Sequence, residues 1–278
     1  MKIQYWKWEV DGDVHCVFRL KDGQFQAHRD WSWQQSDYLE RAVQDPFFPN
    51  VSEMEAFKLI GLQTLEQRLG NDSTRWPKHC LIDYPAEFES QIDLVQQAAE
   101  LAHQDPRRAR ELVRSIDHES MKRWFIDVAL RSGAWRSMHS GNASRNPGTN
   151  RKRKRKSISQ KRLESLFQRD HWRCRYCGIR IGGNRRHFKS FAKAIEMPEL
   201  VAGRTDESRH GIYLLLMASY DHVTPHSDHG SDEDDNLVTA CWSCQFGKYR
   251  YSLSELRLES PRELSTQSIS SWNGLLRD

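Results

Sequence analysis

The stretch 220–248, "YDHVTPHSDHGSDEDDNLVTACWSCQFGK", gathers an Asp-His pair, a lone Asn after an acidic run, and a Cys-x-x-Cys. The cysteines carry the most specific chemistry. Cys241 and Cys244 repeat a spacing already present at Cys174 and Cys177. Each short loop aims two thiolates at a common point, and two such loops complete a tetrahedral, closed zinc site. Such a site leaves no position for water or substrate, so the expected Zn²⁺ is structural. The 63 residues between Cys177 and Cys241 are then tied at their ends, which holds in place whatever lies between. Asp221, His222 and Asn236 lie between; Gln245 and Lys248 follow the second pair. His222 precedes Asn236 by 14 residues, and Asn236 precedes Gln245 by 9.

The elements that must position these groups divide the chain near residue 150. Three strands, "KIQYWKWEV", "VHCVFRL" and "QFQAH", are separated by turns at Asp11-Gly12 and Asp22-Gly23. From Tyr38 to Arg136 the pattern is mostly helical. Residues 92–104 place Ile92, Leu94, Val95, Ala98, Ala99, Leu101 and Ala102 largely on one stripe, Asp105-Pro106 opens another helix, and "MKRWFIDVALR" (121–131) forms a third. The small, polar "SGNASRNPGTN" (140–150) marks a linker. A Ser157-x-x-Gln160 capping box starts a helix carrying Leu163, Leu166 and Phe167 toward the first cysteine pair. "YLLLMASY" (213–220) reads as a buried strand, 227–235 as a turn, and "NLVTA" as a second short strand. The expected organisation is an N-terminal domain over 1–139, a polar and basic linker over 140–157, a zinc-stapled domain over 158–260 and a tail over 261–278.

Composition bounds the partners. Residues 151–190 hold 15 Lys/Arg against two acids, Glu164 and Asp170, in a chain of net charge +4, so the remainder is net acidic. The run Arg151, Lys152, Arg153, Lys154, Arg155, Lys156 must be solvated or bound to anions, most simply nucleic acid. No run approaches the ~18 apolar residues of a membrane helix, and "MKIQYWKWEV" lacks the apolar core of a signal peptide. The expectation is a soluble, cytoplasmic protein with no membrane partner. Cys16 and Cys80 read as buried small side chains, and Trp6, Trp8, Trp31 and Trp33 as core residues rather than base-stacking platforms.

"RDHWRCRYCG", "DHVTPHSDHG", "NLVTACWSC" and the "QFGK" that follows resemble the HNH nuclease family, the ββα-metal (His-Me finger) superfamily, in its zinc-knuckle subgroup. The resemblance covers roughly residues 160–258. It implies an α+β chain: an N-terminal β-hairpin and helical domain, then a ββα-metal nuclease domain stapled by a four-cysteine zinc site. A strand would end near Asp221-His222, a second would begin at Asn236, and a helix would start near Cys241. The resemblance also implies roles. His222 would be the general base, with a pKa suited to deprotonating water near neutral pH. Asp221 would bind the catalytic divalent cation, Mg²⁺ or Mn²⁺. Asn236 would hold the catalytic loop and the imidazole, and Lys248 would contact phosphate.

Gln245 departs from the family, which usually has His or Asn there as the second metal ligand. Gln keeps an amide oxygen but adds a methylene. His226 and His229 read as solvated loop histidines, and Asp232-Glu233-Asp234-Asp235 as a solvated turn. The implied function is a metal-dependent endonuclease nicking or cleaving DNA, with RNA left open as the alternative substrate. A defence or mobile-element effector, regulated or partnered through residues 1–139, is the accompanying expectation. The alternatives are a catalytically weak zinc module that binds nucleic acid, and a partner-binding subunit of a larger nuclease complex.

Overall fold

The computed structural model describes residues 3–10, 13–29, 32–36, 48–52, 55–56, 59–60, 77–130, 136, 158–263 and 272–275. The expected linker over 140–150, Trp31, the Asp11-Gly12 turn and the basic run 151–156 lie outside them.

The N-terminal part is an antiparallel sheet of β1 (Gln4–Val10), β2 (Asp13–Lys21), β3 (Gln24–Arg29), β4 (Ser32–Gln35) and β5 (Asn50–Val51), in the order β4-β3-β2-β1-β5. The β2–β3 hairpin turns at Asp22 and Gly23, with φ of 51° and 79°. Positive φ at both central residues matches the twist of the flanking strands, and glycine carries it without steric cost. Alternation sends Tyr5, Val17 and Trp33 to one apolar face, with Val51 and Ile60 packed on it, while Cys16, Phe18 and Ala27 meet Phe48 on the other. Trp6 and Trp33 are buried, as expected of core residues, and Arg19 lies 4.2 Å over the Trp33 ring.

Three helices follow: α1 (Phe88–Leu101), α2 (Pro106–Arg114) and α3 (His118–Trp124), which runs into a π-turn over Phe125–Ala129. Asp105 caps α2 by accepting from Arg108 N at 3.0 Å, with Pro106 at the first position. The α1 stripe of Ile92, Val95, Ala98 and Ala99 is fully buried. It shares one hydrophobic core with residues from Phe167 to Leu275. Buried Arg180 adds a polar tie to α1, reaching Glu89, Asp93 and Gln96 at 2.9, 2.5 and 2.7 Å.

The C-terminal part contains α4 (Gln160–Arg169), α5 (Arg185–Ala194), α6 (Gly211–Leu216), β6 (Ala218–His222), β7 (Leu237–Cys241) and α7 (Trp242–Lys248). Ser159 caps α4, accepting from Arg162 N at 3.2 Å; Ser157, the expected cap, lies outside the described residues. The run 213–220 is also not a single strand, since its first half is helix α6. His210 caps that helix, and Gly211 lets it pack so tightly that a Cβ would lie 1.8 Å from His118 O. A run of Leu, a strong helix former, then completes the short buried helix. From the C-terminal tail, Trp272 and Leu275 are buried against this region, with Trp272 Nε1 donating to Ile181 O at 2.9 Å.

The cap at α6 makes a pH prediction. His210 Nδ1 accepts from Ile212 N at 3.3 Å, and burial, with His118 and Lys122 nearby, pushes its pKa down to about 3. An unfolded histidine titrates near ~6.5. Below that pH the unfolded chain binds the extra proton, so stability is full above it and falls as pH drops, by about 1.4 kcal/mol per pH unit. His28, pushed by burial down to about 4, acts in the same direction, and Asp127, pushed by burial up to about 6, opposes it. Melting temperature should therefore fall between about pH 6.5 and 4.5. His210→Asn, which keeps an acceptor without a titrating ring, should flatten that slope; an unchanged slope would contradict the assignment.

Candidate active site and cysteine centre

The first cysteine pair sits in a tight turn closed by Cys174 N donating to Ile179 O at 2.9 Å and Gly178 N donating to Cys174 O at 2.8 Å. The second pair spans the β7–α7 junction, where Cys241 caps α7 by accepting from Cys244 N at 3.4 Å. All four cysteines are buried, and their sulfurs lie within 4.8 Å of one another. A tetrahedral site with Zn–S bonds of ~2.3 Å places its sulfurs roughly 3.8 Å apart. The Cys177 and Cys241 sulfurs are 3.8 Å apart. The four thiols also cannot ionise together unaided. Burial opposes ionisation of Cys174, yet hydrogen bonds from the other three thiols hold it well below the usual thiol range. Cys177, mainly through burial, and Cys244, mainly through Cys174, are pushed well above it. A dication removes that conflict, and the residues fit structural zinc. Cys80, expected to be an isolated buried thiol, is buried but lies beside Cys244 and donates to Asp83 Oδ1 at 3.2 Å.

The cysteine centre is stitched to the strands. Asp170, its side chain fully enclosed, accepts from Thr239 N on β7 at 2.7 Å and pairs with Arg169 and Arg175 at 2.9 and 3.0 Å. Tyr176, between the first two cysteines, donates to Asp221 Oδ2 at 2.7 Å.

Antiparallel pairing of β6 with β7 sets Asp221 opposite Val238 and His222 opposite Leu237. The intervening loop closes on Asn236, whose Oδ1 accepts from Thr224 N at 2.8 Å and whose Nδ2 donates to Thr224 O and Ser231 O at 3.1 and 2.8 Å. Gly230 allows this closure: a Cβ there would lie 1.9 Å from Thr224 O. Arg162 and Arg169 clasp the acidic run from α4, Arg162 on Asp234 at 2.7 Å and Arg169 on Asp234 O at 2.6 Å. The run is therefore not simply a solvated turn. It delivers Asp232, whose Oδ1 lies 2.9 Å from His222 Nε2.

A carboxylate only accepts hydrogen bonds, so this contact puts the proton on Nε2 and leaves Nδ1 of a neutral His222 with its lone pair. From α7, Lys248 donates to His222 O at 2.7 Å and pairs with Asp221 Oδ2 at 3.0 Å. The Lys248 side chain is 3% exposed, so its ammonium faces protein rather than the solvent side expected of a phosphate contact. Gln245 donates through Nε2 to Tyr220 O at 3.1 Å. Burial raises the pKa of Asp221, against the opposing pull of Lys248 and Tyr176. Asp221, His222, Pro225, His226, Ser227, Tyr249 and Arg250 line a cavity of about 230 Å³.

The fold thus brings Asp221 and His222 to one cavity, sets Asn236 behind the loop, and gathers the four cysteines. Sequence reasoning missed Tyr176 and Asp232. The aromatic inside "CRYC" and the acidic run ten residues beyond the histidine were the signals available. No curated protein and no solved structure matches the chain. Residues 208–248, running from the approach to α6 to the end of α7, match the HNH endonuclease family. With the ββα order and the cysteine centre that frames it, this match identifies an HNH endonuclease domain in the C-terminal part of the chain.

Proposed function

We propose that the protein is a metal-dependent endonuclease that hydrolyses DNA phosphodiester bonds, with His222 as general base. The observation that carries this reading is the His222–Asp232 pair at 2.9 Å beside Asp221. His222 Nδ1 takes a proton from a water, the resulting hydroxide attacks phosphorus, and the P–O3′ bond breaks as the departing 3′ oxygen takes a proton from solvent water. The products are 5′-phosphate and 3′-hydroxyl ends. A divalent cation, when bound, stabilises the charge that builds on the phosphate and the leaving oxygen. Asp221 would hold it through the oxygen that Tyr176 and Lys248 leave free, as a hard ligand suited to Mg²⁺ or Mn²⁺. Asn236 fixes the loop that carries Asp232. In this reading the basic run 151–156 supplies sequence-independent phosphate contacts, and residues 1–139 supply targeting or a partner surface.

A second reading, a nucleic-acid-binding module without catalysis, draws on the Lys248–Asp221 ion pair, which already neutralises the carboxylate. Supercoiled plasmid incubated with Mg²⁺ or Mn²⁺ separates the two: a nuclease relaxes it, whereas a binder only retards it. Asp232→Asn should lower nicking about 10- to 100-fold, in keeping with outer-shell partners elsewhere. The amide can present either end to Nε2 and no longer selects the tautomer. Full activity in Asp232→Asn would remove Asp232 from the mechanism.

A further inference from the structure

Asp221 supplies one oxygen to the proposed cation, and a second protein ligand is needed to fix the ion's position. The sequence expectation puts that ligand at Gln245. Its amide nitrogen is instead tied to the Tyr220 carbonyl on β6, and Gln245 does not line the cavity that holds Asp221 and His222. His226 does line it. It follows Pro225 in a single 3-10 turn, with its ring 5.8 Å from that of His222 in an edge-on arrangement. Its Nε2 is buried and has no hydrogen-bond partner among the described residues. A buried imidazole nitrogen without a partner calls for an explanation, and an absent ion or water is a standard one.

We infer that His226, through Nε2, is the second protein ligand of the catalytic divalent cation beside Asp221, taking the place expected of Gln245. This rests on the metal-dependent nuclease reading above. Two protein ligands with the remaining positions left to water and substrate phosphate is the usual pattern for such ions. An imidazole also shifts preference along the divalent series, so Mn²⁺ should bind more tightly than Mg²⁺.

The test uses full-length, zinc-replete protein and Mn²⁺ without DNA. Binding is followed by the loss of the free Mn²⁺ paramagnetic signal, and coordination by ¹⁴N modulation in pulsed EPR. Wild type should show an imidazole ¹⁴N signal. His226→Ala should lose it and weaken Mn²⁺ binding at least about 10-fold, beyond the lower end seen for outer-shell partners, while zinc content and melting temperature stay at wild-type values. His226→Gln, of similar volume, should behave likewise, and Gln245→Ala should keep both the signal and the affinity. Unchanged Mn²⁺ affinity in His226→Ala, or a signal lost only in His222→Ala, overturns the assignment while the nuclease reading stands. Wild type that neither binds Mn²⁺ nor nicks plasmid overturns that reading itself.

Discussion

Cys241→Ser should yield a protein without bound zinc, whose C-terminal region no longer folds. The expected size follows from scale. Structural zinc contributes about 10–16 kcal/mol in small modules, against a net stability of about 5–15 kcal/mol for a typical domain. Cys241 also ends β7 and caps α7, so the helix that carries Gln245 and Lys248 loses its anchor. The damage should spread further. The four cysteines belong to the same hydrophobic core as Ile92, Val95, Met121 and Trp124, so helices α1 and α3 should lose structure together with the nuclease region. Elemental analysis should give about one zinc per wild-type chain, and circular dichroism should show the loss of helix in the variant. A soluble, well-folded and active Cys241→Ser protein would contradict a structural zinc.

His222→Ala should behave in the opposite way, with fold and zinc intact and chemistry lost. Its side chain lines the cavity rather than the hydrophobic core, and the contact of its carbonyl with Lys248 does not depend on the ring. Removing a general base costs on the order of 10²–10⁴ in rate. Asp232→Asn should fall short of that loss, because the base remains and only its orientation suffers. The ordering wild type, Asp232→Asn, His222→Ala is therefore a sharper expectation than any single value.

Some of this was legible in the sequence, and the reasons differ by residue. The cysteine pairs were, because two-residue spacing constrains geometry locally. The turn at Asp22-Gly23 was legible for a similar local reason, whereas the strand–loop–strand–helix order at the site came from the resemblance to the HNH family. The helix α6 was not. A short apolar run does not distinguish a buried strand from a buried helix, and the deciding contact, the approach of Gly211 to His118 O, depends on a helix far earlier in the chain. Asp232 was hidden among four consecutive acids, selected only by arginines that α4 brings to the loop. The contacts of Tyr176 and Lys248 with Asp221 were not legible, for one shared reason. Each side chain turns inward to Asp221, and that direction exists only after the cysteine centre and α7 have packed against β6.

The most direct test of the central claim is plasmid nicking by zinc-replete wild type and His222→Ala side by side, with Mn²⁺ and again with added imidazole. Wild type should convert supercoiled plasmid to nicked product. His222→Ala should be slower by about two to four orders of magnitude, with part of the rate restored by imidazole acting as the missing base. Nicking by His222→Ala at the wild-type rate would contradict the account.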